Sequence, residues 1–126
     1  GVEHLSAGAK RRYQLFGVYG LSRLERACYG YAGKTAQALT LAGALPNDQF
    51  IVVDYDHLVT AKEERLPQLY QFIGLDYAPA YADKVHSNSL DKSSRLTERE
   101  RALIEQVCMP VYKNVAALAP WYTSKN

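Results

Sequence analysis

The sequence predicts a mostly α-helical protein with one short β-strand, and three observations lead to this fold class. Apolar residues recur at helical spacing over several long stretches, as in helices that pack on one face. One run, residues 50–53, is instead continuously apolar and mostly β-branched, as in a buried strand. The chain has 126 residues, of which 48% are hydrophobic and 22% charged, which suffices for a modest core. We therefore expect a single domain over residues 1–126, with about four helices around that strand.

The first part of the chain, residues 7–43, predicts two helices. Gly17 interrupts an apolar, tyrosine-rich stretch, so the first helix is expected over residues 7–17. Ser22 is a residue type that caps helix N-termini, and small and apolar residues keep a helical spacing after it. The second helix is therefore expected over residues 22–43.

Two short motifs in this part are typical of ligand sites, but neither predicts one here. Gly33, Lys34 and Thr35 resemble the end of a phosphate-binding loop, yet Cys28 stands where the first glycine belongs and no strand precedes it. Three basic residues and a tyrosine at positions 10–13 resemble a nucleic-acid contact, but this patch is small. The formal net charge of +2 is also too low to indicate nucleic acid or an anionic membrane as a partner.

The middle of the chain, residues 49–75, predicts a strand, a charged elbow and a helix. The elbow contains Asp54, Asp56 and His57 at the carboxyl end of the strand, which is the edge where α/β proteins bind ligands. Apolar residues then follow a helical spacing as far as Gly74. A glycine at this place predicts a helix end in the left-handed conformation.

The titratable groups of the elbow allow a functional and a structural interpretation. Asp54, Asp56 or His57 could act as a general base or a metal ligand. A metal site needs three or four ligands, however, and His4 and His86 have no spacing relation to this group. We therefore expect Asp56 to cap the following helix, and we expect neither a metal site nor a catalytic residue in this chain.

A polar, serine-rich stretch over residues 86–95 predicts a loop. Lys92 and Arg95 flank two serine hydroxyls there, which is a suitable set of groups for binding a phosphate through charge-assisted hydrogen bonds. From the residues alone, an ordinary connector with surface charges is the other interpretation of this loop.

The last helix is expected over residues 97–118. Thr97 and Glu100 have the spacing of a capping box, and a continuous apolar stripe follows them. Pro110 lies inside the stripe and predicts a kink, because proline lacks the backbone N–H group.

Residues 49–118 resemble the C-terminal portion of the sulfotransferase superfamily. Residues 55–58, Tyr-Asp-His-Leu, stand where that family has a strand ending in a Tyr-Glu-Asp-Leu-like signature. Residues 72–75, Phe-Ile-Gly-Leu, are similar to the Phe-Leu-Gly-Leu with which the family closes its next helix. His57 departs from the family, which usually has an acidic residue there. The resemblance implies that the chain is part of, or a relative of, the α/β P-loop-like sulfotransferase fold.

The resemblance also implies an activity for the intact family, which transfers a sulfuryl group from 3′-phosphoadenosine 5′-phosphosulfate to a hydroxyl or amine. In many members a late loop closes over the 3′-phosphate of this donor. Carried onto this chain, the donor-binding residues are Lys92, Ser93 and Arg95. The phosphate loop and catalytic base of the family belong to its N-terminal half and are not recognisable here, so we expect this chain alone to catalyse nothing.

Three explanations of the chain remain open at this point. It is a C-terminal fragment of a larger sulfotransferase, a small relative that lost the chemistry, or a free-standing helical binding module. Because one strand cannot form a sheet, its edges are expected to pair with a second copy in a homodimer or with a missing N-terminal half.

The sequence gives two further expectations about the environment of the protein. Cys28 and Cys108 lie far apart in helix-like stretches, so we expect buried thiols rather than a disulfide. No long apolar run and no signal-like N-terminus is present, so a membrane partner is not expected and a cytoplasmic location is.

Overall fold

The computed structural model describes residues 4–86 and 95–122, and this part of the protein is mostly helical, as predicted. The elements are six α-helices and a short 3-10 helix: α1 Ala7–Gly20, α2 Arg23–Ala44, α3 Tyr55–Thr60, α4 Lys62–Ile73, the 3-10 helix Pro79–Lys84, α5 Glu98–Val107 and α6 Met109–Ala116.

A serine side chain caps the N-terminus of each of the first two helices. The Ser6 hydroxyl accepts a hydrogen bond from the Ala9 amide at 3.3 Å, and Ser22 caps α2 by accepting one from the Glu25 amide at 3.1 Å. The interruption predicted at Gly17 is present: its backbone leaves the helical conformation with φ +59° and ψ −168°, so α1 is kinked there and a short helical piece follows as far as Gly20. A residue with a side chain seldom adopts this φ. The predicted second helix is confirmed within a residue or two at each end.

The predicted strand is wrong. Among the described residues no segment forms a strand, and residues 50–53 lie in the connection between α2 and α3. Their side chains are half-buried, but their backbone makes no hydrogen bond to another described segment. A β-ladder needs two segments, and an apolar β-branched run supplies only one of them.

The predicted helix after the elbow is two helices, because Ala61 leaves the helical conformation with φ −140° and ψ 46°. The predicted stop is confirmed. Gly74 ends α4 in the left-handed conformation with φ 82°, and the amides of Gly74 and Leu75 both donate to the Tyr70 carbonyl. Glycine suits this position because it has no Cβ to clash there.

The last predicted helix is also two helices, α5 and α6, with the break at Cys108. Thr97 caps α5, as predicted: its hydroxyl accepts from the Glu100 amide at 3.2 Å and donates to the Glu100 carboxylate at 3.1 Å. Pro110 lies in the first turn of α6, where its missing N–H group costs no helical hydrogen bond. The interruption predicted for this proline is therefore present two residues before it.

Two small clusters of buried side chains form part of the core of the described residues. The first, between α1, α2 and the last two helices, centres on Leu5, Leu21, Tyr29 and Ala32. The second, around α3 and α4, centres on Leu58, Leu66 and Ala82. Helix α2 packs against α5 and α6, while α3 and the 3-10 helix pack against α4. No large described side chain is fully buried, which agrees with the modest core expected for a chain of this length.

The segment after α6 folds back onto α4. The indole N–H of Trp121 donates to the side-chain oxygen of Gln68 at 2.6 Å. The Arg65 guanidinium lies 5.5 Å from the centre of the Trp121 ring, a cation–π distance. Arg65 also donates to the His57 carbonyl, so this contact connects the end of the described chain to α3.

Both cysteines are buried free thiols, as expected. The Cys108 thiol faces the Cys28 carbonyl at 3.8 Å, where α2 meets the break between α5 and α6. Burial raises the pKa of the Cys108 thiol to about 12, and the neighbouring Cys28 adds to this shift.

Candidate functional site

The charged elbow contains a helix cap, as predicted, but the capping residue is Asp54. Its Oδ1 atom accepts a hydrogen bond from the His57 amide at 3.1 Å, and this places Asp54 at the N-cap of α3. Asp56, the residue expected to cap, lies exposed in the first turn. The sequence cannot separate the two aspartates, because each lies just before a helical segment and either could accept a first-turn amide.

The second oxygen of Asp54 accepts a hydrogen bond from the hydroxyl of Tyr112, which lies on α6. This pair joins the elbow to the C-terminal part of the protein. Burial raises the pKa of Tyr112, and the adjacent Asp54 carboxylate raises it further because a tyrosinate would face a like charge. Burial also acts to raise the pKa of Asp54, but the Tyr112 hydroxyl and the His57 amide outweigh it and hold that pKa below its usual value.

A cleft with a volume of about 410 Å³ opens beside this pair, between α2, residues 52–56 and α6. We call it the Asp54 cleft. Its polar groups are those of Tyr31, Thr35, Asp54, Tyr55, Asp56 and Tyr112, and its apolar wall consists of Val52, Val53, Val115 and Ala116. Burial raises the pKa of Tyr31, against the opposing effect of a hydrogen bond with Thr35, so the phenol stays neutral at physiological pH.

The predicted loop begins beside the elbow. The Tyr55 hydroxyl donates to the His86 carbonyl at 3.1 Å, and the Lys62 ammonium donates to the Val85 carbonyl at 2.8 Å. These two bonds hold Val85 and His86, at the start of the polar stretch, against α3 and α4. The first residue of the predicted polar stretch, His86, therefore lies beside the elbow.

Of the three predicted donor-binding residues, the structure describes one. Arg95 is exposed and lies two residues before the N-cap of α5. Lys92 and Ser93 lie outside the described residues, so their role stays a prediction.

The basic stretch at residues 10–13 lies on α1, and one of its residues, Arg12, forms an ion pair with Glu25 of α2. Arg12 and Glu25 join α1 to α2 through two hydrogen bonds, one of them 3.0 Å from guanidinium to carboxylate. Arg12 lowers the pKa of Glu25, and the carboxylate raises the pKa of Arg12 in return. The pair lies in the lining of a wide groove between α1, α2, α5 and α6, with a volume of about 1610 Å³.

Two of the polar groups in the cleft are ones that the sequence analysis missed. Tyr112 was assigned to the apolar stripe of the last helix, and Tyr31 to the helical spacing of α2. A tyrosine inside an otherwise aliphatic stripe does carry a signal, because a buried hydroxyl needs a hydrogen-bond partner. The identity of that partner, Asp54, depends on tertiary packing.

Over residues 4–86 and 95–122, no group of three or more histidine, cysteine, aspartate or glutamate side chains could hold a metal ion. Within the same ranges, no helix is long and apolar enough to cross a membrane.

No family model, curated protein or solved structure matches the chain. A functional assignment therefore has to come from its own residues and their geometry.

Proposed function

We propose that this chain is the C-terminal helical part of a sulfotransferase-type protein and binds the 3′-phosphate end of 3′-phosphoadenosine 5′-phosphosulfate. The observation that carries the proposal is the anchoring of His86 by Tyr55, which starts the polar loop at the elbow. A loop fixed at one end to packed helices suits a ligand-binding role, because its groups are held near a defined surface.

The placement of the motif at residues 72–75 supports the proposal, whereas residues 55–58 lack the strand that ends in this motif in the family. Residues 55–58 begin α3, and residues 72–75 contain the glycine that ends α4. Both motifs thus lie at element boundaries, where their local sequence sets the path of the chain.

Arg95 is the described residue best suited to contact the donor. Its guanidinium is exposed, permanently charged and able to bind two phosphate oxygens at once. Lys92 and Ser93 join it by resemblance, one as a point charge and the other as a hydroxyl donor.

In this proposal the chain contributes donor binding and no chemical step. The reaction is an in-line displacement at sulfur that carries the sulfuryl group to a hydroxyl or amine, helped by a base and by cations near the developing charge. The base and the phosphate loop belong to a separate N-terminal half, so the chain by itself has no transferase activity.

The test is isothermal titration calorimetry with 3′-phosphoadenosine 5′-phosphate, the desulfated donor. We expect binding to the unaltered chain, and the double variant Lys92→Ala, Arg95→Ala to weaken it by about 100-fold, since two charge-assisted contacts are lost. The matched control is Arg26→Ala, Lys34→Ala, which removes the same charges from exposed positions on α2 and should bind normally.

Two results contradict this proposal. Equal loss of affinity in both double variants would show that only net charge matters. No binding by the unaltered, folded chain would mean that this part of the protein does not hold the nucleotide alone.

A second candidate function, a helical interaction module, is favoured by the exposed apolar side chains near the end of α4. Ile73 and Leu75 are 56% and 60% exposed, and Leu41 and Leu45 on the last turns of α2 are also exposed. Exposed apolar side chains are favourable contacts for another polypeptide where they form a continuous patch. In this candidate the partner is a second copy of the chain.

A further inference from the structure

We propose that the Asp54 cleft binds a small organic cation, a protonated amine with an apolar body. This inference does not rest on sulfuryl transfer, because the cleft involves none of the residues proposed to hold the nucleotide. Three properties of the cleft lead to it: its charge, its aromatic lining and its apolar wall.

The cleft is negatively charged. Asp54 and Asp56 both line it, and no lysine, arginine or histidine is among its lining residues in the described ranges. Part of the charge of Asp54 is balanced by the His57 amide and the Tyr112 hydroxyl. Asp56 is exposed at the opening, so a cation that enters meets a carboxylate whose charge those two donors do not offset.

The aromatic lining favours an ammonium group over a metal ion. Tyr31 and Tyr55, which are 40% and 48% exposed, line the cleft together with Tyr112. Aromatic rings attract ammonium groups through their negative faces, and a site that combines rings with carboxylates is typical of amine recognition. A metal ion would require at least three ligating side chains, and no described group of residues provides them.

The apolar wall selects the rest of the ligand. Val52, Val53 and Val115 form this wall together with Ala116, and they offer contact to hydrocarbon rather than to further polar groups. A volume of about 410 Å³ lies at the small end of the range of ligand pockets. The ligand is thus a compact amine with a short aromatic or aliphatic body, and a long polyamine would leave most of its charges outside.

The test uses benzylamine as the probe and benzyl alcohol as its neutral counterpart of nearly equal shape. Binding to the unaltered chain is followed by NMR shifts or calorimetry at low ionic strength. We expect saturable benzylamine binding, at least about tenfold tighter than that of benzyl alcohol, and a loss of affinity as salt is added.

Variants identify the cleft as the site. Asp56→Asn removes the exposed charge, and Tyr31→Leu removes a ring; each should weaken benzylamine binding by about fivefold to tenfold. The control Asp83→Asn removes an exposed carboxylate from the 3-10 helix and should leave binding unchanged. Circular dichroism and melting temperature establish that each variant is folded.

The proposal is overturned if folded, unaltered protein does not bind benzylamine, or if benzyl alcohol binds equally well. It is also overturned if Asp56→Asn and Asp83→Asn have the same effect. None of these outcomes bears on nucleotide binding, which is measured separately with a different, anionic probe.

Discussion

At the scale of single residues, the contact between Asp54 and Tyr112 has the most consequences. It connects the cap of a six-residue helix to α6, and it contributes to lowering the pKa of Asp54 and to raising that of Tyr112. Without the Tyr112 hydroxyl, the Asp54 carboxylate would still accept a hydrogen bond from the His57 amide but would no longer be bonded to α6.

We expect Tyr112→Phe to lower the free energy of unfolding by about 1 kcal/mol at neutral pH, since it removes one hydrogen bond to a charged, partly exposed group. The folded-state pKa of Asp54 lies below its ordinary value. Its stabilisation is therefore present above that ordinary pKa and is lost as the pH falls through the folded-state pKa. Urea unfolding at neutral and acidic pH measures both effects.

The control for this prediction is Tyr81→Phe, which removes a hydroxyl from an exposed tyrosine of the 3-10 helix. An equal loss in both variants, or a Tyr112→Phe effect that does not shrink in acid, would argue against the contact with Asp54.

The residue scale also shows what a sequence can reveal. The Ser22 and Thr97 caps and the Gly74 stop were predicted, because each depends on neighbours within about one helical turn. The partner of Tyr112 was not predicted, because it depends on a contact between distant parts of the chain. The cap by Asp54 is local, but either aspartate could accept a first-turn amide, so the sequence did not distinguish Asp54 from Asp56.

At the scale of elements, the break at Ala61 was missed, and the break at Cys108 was predicted as a kink two residues later, at Pro110. An apolar stripe continues across both breaks, so periodicity alone predicts one helix where the structure has two. The strand was wrong for the opposite reason. Residues 50–53 have the right local preferences, but a ladder also needs a second segment, and none of the described ones supplies it.

Glycine substitutions test the elements directly. Gly74→Ala places a side chain at φ 82°, and we expect a loss of about 1 kcal/mol in stability even though the space around the added Cβ is open. The matched change Gly30→Ala lies in the interior of α2, also with open space, and should stabilise by about 0.5–1 kcal/mol. Thermal and urea unfolding of both variants measure the difference.

Opposite signs for the two glycine variants are the expected result. If Gly74→Ala were neutral, α4 would not end in a left-handed residue in solution. The motif at residues 72–75 would then not be what ends this helix.

At the scale of the whole molecule, a small core coexists with exposed apolar side chains near the ends of α2 and α4. If a second copy covers them, sedimentation equilibrium should give a mass above that of the 14.1 kDa monomer, increasing with concentration. We expect Leu75→Asp to shift the protein towards monomer, because it places a charge in the contact.

The control for this shift is Leu15→Asp, which puts the same charge on an apolar side chain of α1 that is 69% exposed. A monomer at every concentration, or equal effects of the two variants, would rule out a homodimer through this surface.

The packing of the segment after α6 onto α4 can be followed by intrinsic tryptophan fluorescence. The chain has a single tryptophan, Trp121, and it rests between the Gln68 amide and the Arg65 guanidinium. Its fluorescence therefore reports one contact rather than an average over many. The emission reddens when this segment leaves α4, and far-UV circular dichroism reports separately on whether the rest of the helices have also come apart.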